Sequence, residues 1–140
     1  MDQRFINSLS GATLAYLGDA VLEVLVRRYI ISLGIADGGK LSRLALHFVK
    51  ATAQSAGMDN LSKHLTEEEE YIYKRGRNAH GIAIPKSASA AEYRRATGME
   101  ALFGYLDLTG RADRAQELFC LAYADVMAEL NENKMLGEIK

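Results

Sequence analysis

A chain of 140 residues with 49% hydrophobic and 25% charged side chains suits one globular domain with a real core, and no stretch nears the roughly 20 apolar residues of a membrane span. A single cysteine, Cys120, leaves no internal disulfide and no thiolate cluster for zinc. The start, Met1-Asp2-Gln3-Arg4, is not followed by the apolar core of a secretory signal, so a reducing cytoplasm is the expected setting. The net charge of −1 conceals a segregation: from Tyr71 to Arg95 six basic residues (Lys74, Arg75, Arg77, Lys86, Arg94, Arg95) stand against one acid, Glu92, which marks a local anion-binding surface.

The chain reads as all-α. A first helix is predicted over about 10–33, capped by Ser10 and ended by Gly34. Leu14, Leu17, Val21, Leu22 and Leu25 recur in it at helical spacing, and Val24 and Val26 widen the apolar face. Asp19 interrupts that run beside Gly18. A carboxylate there is costly to desolvate unless a positive group meets it, and a glycine inside a helix costs roughly 1 kcal/mol relative to alanine. A second helix, about 39–56, carries Leu41, Leu44, Ala45, Phe48, Val49 and Thr52 at core spacing, and a short one is expected over 58–64. Thr66-Glu67-Glu68-Glu69 reads as a capping box that opens a helix over 66–75, with Lys74 and Arg75 near its end. The only proline, Pro85, falls in a loop spanning Gly76–Ser87, in which Gly81-Ile82-Ala83-Ile84 is a weak strand candidate. Helices over about 88–109 and 111–134 are separated by Gly110. No repeat or appended module is expected: residues 1–140 form one domain, with 131–140 a frayed tail.

A second acid in an apolar helical run is Glu100, with Gly98 before it and Gly104 after it. If the first helix crosses this one at Gly18 and Gly104, Asp19 and Glu100 face each other. Two facing carboxylates repel unless a proton or a cation lies between them, and an oxygen-only pair suits Mg²⁺. The alternative is that each acid pairs with a nearby arginine in an ordinary buried salt bridge. His47, His64 and His80 share no ligand spacing with one another or with Cys120, and Gly38-Gly39-Lys40-Leu41 lacks the spacing of a phosphate loop. Glu23, one turn after Asp19, reads as the i+4 partner of Arg27, and Asp107 and Asp113 as cap and surface residues around Gly110.

Lys74-Arg75-Gly76-Arg77-Asn78-Ala79-His80-Gly81 reads as a flexible grip on a phosphate backbone, extended by Lys86, Arg94 and Arg95. A solvated basic loop that offsets the acidic start of its own helix is the bland alternative. Tyr71, Tyr73 and Tyr93 form no stacking platform, so contacts to a duplex backbone and its 2′-hydroxyls fit better than stacking on splayed bases.

At these residues the chain resembles the ribonuclease III catalytic domain, and in particular its short bacterial Mini-III form. Leu17-Gly18-Asp19-Ala20-Val21-Leu22-Glu23 is similar to the family signature, and Glu100-Ala101-Leu102-Phe103-Gly104-Tyr105-Leu106 to its second acidic helix. Leu41-Ser42-Arg43-Leu44 with Phe48-Val49-Lys50 resembles the intervening helix, and Arg75-Gly76-Arg77-Asn78-Ala79 with Ile84-Pro85-Lys86 the Mini-III loop. Longer relatives carry further acids where this chain has Ala12, Ala15 and Thr97, so only Asp19 and Glu100 carry over as catalytic and metal-binding residues, a reduced set like that of Mini-III. The resemblance implies an all-α homodimeric helical bundle that cleaves double-stranded RNA by Mg²⁺-activated water attack, leaving 5′-phosphate and 3′-hydroxyl ends. It also implies that Lys74, Arg75, Arg77, Asn78, Lys86 and Arg94 contact RNA in place of a separate RNA-binding domain. Precursor 23S ribosomal RNA is the implied substrate, with assistance from ribosomal proteins left open. A first helix apolar over much of its circumference fits a dimer. The competing readings are a non-catalytic double-stranded RNA-binding dimer and a helical protein-interaction module.

Overall fold

In the computed structural model, which describes residues 1–80, 83–84, 86 and 89–135, the centre of the molecule is one helix, α6 (Ala90–Leu108). From Ala96 to Leu106 every residue of α6 except Glu100 is buried. A helix apolar on all sides must be wrapped on all sides. Helix α2 (Gly11–Ser32) makes the most extensive contact with it, followed by α5 (Glu67–Arg77) and α4 (Ala51–Leu61), with α7 (Ala112–Ala122) closing the bundle. Helices α1 (Gln3–Ser8), α3 (Gly38–Val49) and α8 (Ala124–Met135) and a 3₁₀ turn at Ser62–His64 complete the elements. No strand is present among the described residues, nor any helix long and apolar enough to cross a membrane.

The ends of the helices follow from local chemistry. The Ser10 side chain accepts from the Thr13 backbone N–H at 3.1 Å, and Leu33 and Gly34 bond back to the carbonyls of Ile30 and Ile31, with Gly34 at φ 87°. Thr66 and Glu69 complete a reciprocal capping box at 3.1 and 3.0 Å. Gly110, at φ 72°, turns the chain from α6 toward α7.

Several boundaries differ from the sequence expectation, among them the expected gap between helices over 39–56 and 58–64, which α4 runs through without a break before the 3₁₀ turn at Ser62–His64. The N-terminal helix α1 has no counterpart in that expectation; Asp2 caps this helix, and Ile6 docks into a small apolar cluster with Leu14, Ile72, Ala101 and Tyr105. The predicted helix over 39–56 breaks at Lys50, which is extended (φ −64°, ψ 146°), because α4 must turn to lay Gln54, Gly57, Met58 and Leu61 on α6. No glycine or proline marks that break. The break frees the Phe48 carbonyl to accept from the buried Tyr123 hydroxyl at 2.8 Å. The predicted 111–134 helix likewise breaks at Tyr123, whose ring packs 5.1 Å from Phe48 and 5.2 Å from Phe119. Helix α8 then runs through residues 131–135, part of the stretch expected to fray; residues 136–140 lie outside the described residues. Of the strand candidate, Gly81 and Ile82 lie outside the described residues, and Ala83 and Ile84 form no strand.

Candidate functional site

Helices α2 and α6 touch backbone to backbone. A Cβ added at Gly18 would lie 1.5 Å from the Glu100 carbonyl oxygen, and one at Gly104 would lie 2.1 Å from that of Leu14. Only glycine fits either position, and the pair sets both the spacing and the register of the crossing. Asp19 follows Gly18 directly, and the group that Gly18 meets belongs to Glu100. The crossing therefore brings the two acids together.

Their side chains interact. Burial pushes the Glu100 carboxyl up to about 8, and the adjacent Asp19 carboxylate pushes it in the same direction. The Gln54 side chain, reaching across from α4, pulls it part of the way back. Asp19 is exposed and Glu100 partly buried, so the pair opens to solvent on the Asp19 side.

None of the ion pairs among the described residues includes either acid. Arginine and lysine go elsewhere: Arg27 to Glu23 at 3.2 Å, as the i+4 spacing predicts, Lys74 to Glu70 at 2.9 Å, Arg95 to Asp59, Arg111 to Glu68, and Arg114 to Glu69 and Glu117. The salt-bridge alternative for Asp19 and Glu100 is thereby removed. Two carboxylates form an oxygen-only donor set, and among the described residues no group of three or more His, Cys, Asp or Glu side chains gathers anywhere. Such a set suits Mg²⁺, which takes one or two protein carboxylates and keeps several waters, and not zinc, which prefers nitrogen and sulfur.

Several of the basic residues stand on α5, which packs against the same helix as Glu100. Helix α5 abuts α6 through Gly76, where a Cβ would meet that of Ala101 at 2.5 Å, and through Gly98, where one would meet the Tyr73 ring at 2.6 Å. The end of α5 is thus held against the turn of α6 that carries Glu100. Lys74 and Arg75 stand on the last turn of α5, as the predicted helix has them, and Arg77 joins them there and not in a flexible loop, because the helix runs to Arg77 with Asn78 as its C-cap. Positive side chains there also complement the helix dipole.

Individually these residues are not equally free. Arg75 is tied to the carbonyls of Leu9 and, at 3.4 Å, Asn7, with its guanidinium 5.8 Å from the Tyr71 ring centre. Arg77 bonds to Asn78 Oδ1 at 3.2 Å and lies 5.7 Å from the Tyr73 ring centre. Arg94 reaches the Ala79 carbonyl at 3.5 Å, and Lys86 is exposed. Tyr71, Lys74, Asn78 and His80 line a cleft of about 580 Å³ against the start of α2.

Sequence reasoning misses two residues at the acids. Gln54, 3% exposed, contacts Glu100, and Tyr123, whose hydroxyl is held well above its ordinary range by burial and then by the Glu100 charge, lies close by. The available signal for Gln54 is a lone amide at helical spacing from Met58 and Leu61.

Comparison with known proteins bears on this geometry. Residues 12–111 match the family described as the Ribonuclease III domain. The chain is 46% identical over 117 residues to a Mini-ribonuclease 3 of Enterococcus faecalis, covering 82% of this chain and 89% of that one. It is 49% identical over 111 residues to the Mini-ribonuclease 3 of Symbiobacterium thermophilum, covering 79% and 85%. A crystal structure of a protein from Fusobacterium nucleatum superposes with a TM-score of 0.76 at 29% identity, over 86% of this chain and 96% of that one.

Proposed function

We propose, for a chain that belongs to the ribonuclease III family and is an endoribonuclease of double-stranded RNA, that Asp19 and Glu100 are its catalytic, metal-binding pair and that Mg²⁺ is the ion they hold. One observation carries this reading: Glu100 is pushed up to about 8 beside Asp19, with no arginine or lysine paired to either among the described residues. An acid pair left in that condition favours any cation that replaces the proton.

Asp19 and Glu100 would hold the divalent ion, which would supply Lewis acidity toward water and screen charge that develops on a phosphodiester. The protein's own residues do the remainder. Glu100, backed by packed helices, offers a fixed carboxylate; Asp19, on the open side, offers one that meets solvent and substrate. Lys74, Arg75, Arg77, Asn78, Lys86 and Arg94 position the RNA backbone, which fixes register without reading sequence. Arg75 does so while holding the Asn7 and Leu9 carbonyls, so its contribution to RNA is the smallest of the arginines.

The finer properties are part of the same proposal. Cleavage leaves 5′-phosphate and 3′-hydroxyl ends, and the substrate is precursor 23S ribosomal RNA in the cytoplasm, with or without ribosomal-protein assistance. The enzyme acts as a homodimer, each subunit cutting one strand. An apolar groove of about 290 Å³ along α2, lined by Val21, Val24 and Leu25 and continuing onto Ala112 and Ala115, supports the dimer, since Val24 is 47% exposed there.

A labelled RNA duplex incubated with and without Mg²⁺ tests the reading. Wild-type protein should cut only with the ion, while Asp19→Asn and Glu100→Gln should bind the duplex and leave it intact. Cleavage by either variant at the wild-type rate, or equal cleavage in chelator, would overturn it.

A further inference from the structure

We propose that Gln54 is a positioning residue of this site: its buried amide donates to Glu100 and fixes that carboxylate for a divalent cation without neutralising it. The inference rests on the reading of Asp19 and Glu100 as metal ligands.

Placement comes first. Gln54 stands on the face of α4 that is laid against α6, together with Gly57, Met58 and Leu61. The two helices are close: a Cβ at Gly57 would lie 3.4 Å from the Met99 Cε. Gln54 is one turn earlier on α4 and Glu100 the residue after Met99 on α6, so the amide reaches the carboxylate from the protein side. At 3% exposure the amide has little water to bond with, and a buried amide without a partner is strongly unfavourable. Glu100 is its partner.

Chemistry then says why an amide suits the position. A carboxylate that ligates a metal needs its rotamer held, and outer hydrogen bonds do this in metal sites generally. An arginine in place of Gln54 would hold Glu100 equally well but would compete as the counter-ion, as Arg114 does with Glu69. Glutamine donates from a neutral group. One lone pair of Glu100 is taken, the remaining ones stay open toward Asp19, and the charge of the pair is kept for a cation.

The test uses Gln54→Met, which keeps an unbranched side chain and helix propensity while deleting the amide, with Gln54→Ala in parallel. Mn²⁺ binding to RNA-free protein is followed by the paramagnetic signal of the free ion, beside thermal melting, duplex binding in chelator, and cleavage as a function of Mg²⁺. Expected are a 10- to 100-fold loss of Mn²⁺ affinity and a comparable rise in the Mg²⁺ needed for half-maximal cleavage. Cleavage at saturating Mg²⁺ should stay within a few-fold of wild type, and metal-free duplex binding should be unchanged. Folded variants with wild-type Mn²⁺ affinity and Mg²⁺ dependence, or with only a lowered melting temperature, would make Gln54 a core residue and overturn the proposal. Asp19→Asn separates the two readings. If it too binds Mn²⁺ like wild type, the metal-ligand assignment fails; if it does not while Gln54→Met does, only the role of Gln54 fails.

Discussion

Glu69 on α5 and Glu100 on α6 are both drawn away from water, and their surroundings move them in opposite directions. Glu69, 2% exposed, accepts from Arg114 Nε at 2.9 Å and Nη2 at 2.8 Å and from the Thr66 backbone N–H at 3.0 Å, and these bonds hold it below the usual carboxylate range. Glu100 meets an amide and a second carboxylate and is pushed up to about 8. Glu69 joins α5 to α7 and closes a helix cap, so it stabilises the fold. Ionised Glu100 is unfavourable where it stands, and the glycine crossing of α2 and α6 keeps it in place against its electrostatics. The two acids differ in what answers their burial: at Glu69 the Arg114 guanidinium outweighs it, whereas at Glu100 burial dominates and a second carboxylate adds to it.

The comparison breaks most violently at Gly18. Its missing side chain lets Glu100 approach, and Gly18→Ala should force α2 and α6 apart at a cost of about 4 kcal/mol or more, or abolish folding, as urea denaturation would show. An alanine tolerated at a cost below about 1 kcal/mol would mean that the crossing is not tight. Next in size, Asp19→Asn and Glu100→Gln should each lower duplex cleavage about a thousandfold or more in single-turnover kinetics.

Stability sharpens the contrast, because the two glutamates should respond to the same substitution with opposite signs. Glu69→Gln removes the buried charge that holds Arg114 and leaves that arginine only Glu117 and the His64 carbonyl, and it should cost about 2 kcal/mol. Glu100→Gln in chelator at pH 8 and above removes an unfavourable charge and should gain on the order of 2 kcal/mol. The pH dependence follows. Glu69 is depressed on folding, so its contribution is present above its unfolded value and is lost as acid titrates it through the lower folded one. Glu100 is raised, so in metal-free protein its own contribution is fully present below about 4.5 and is lost as pH climbs through about 8. Denaturant midpoints measured in chelator across that range check both limbs. A flat alkaline limb would remove Glu100 from the account.

The two acids are legible in the chain to different degrees. Glu100 and Asp19 can be paired from the amino-acid pattern because each interrupts an apolar helix and each has a glycine at the spacing a crossing requires. The Glu69 cap is equally visible in Thr66-Glu67-Glu68-Glu69. Arg114 as its partner is not, since an ion pair 45 residues apart leaves no periodic trace. Helix ends marked by Ser10, Gly34, Thr66 and Gly110 can be read, whereas the breaks at Lys50 and Tyr123 cannot. Those breaks come from where α4 and Tyr123 must pack, and neither residue is a local breaker. Gln54 is hidden for the same reason: one amide in Ala51-Thr52-Ala53-Gln54-Ser55-Ala56 has meaning only once Glu100 is known to lie opposite it. Lys74 and Arg75 can be read at the end of a helix, but the continuation of α5 through Gly76 to Arg77 cannot, because a glycine there reads as the start of a loop.

The finest test of the comparison asks how much of the Glu100 shift belongs to Asp19. Burial is the larger cause and the neighbouring carboxylate the next. Asp19→Asn removes the neighbour's charge and leaves the burial, so the Glu100 carboxyl should come down from about 8 yet remain above 4.5 when its side-chain carbon resonance is titrated by NMR in metal-free buffer. The alkaline loss of stability should shrink in step, since the same interaction appears in both measurements. A carboxyl that returned fully to 4.5 would make the neighbour and not the apolar crossing the main cause. One that did not move would mean that the two acids do not sense each other, and a cation would have no reason to prefer the space between them.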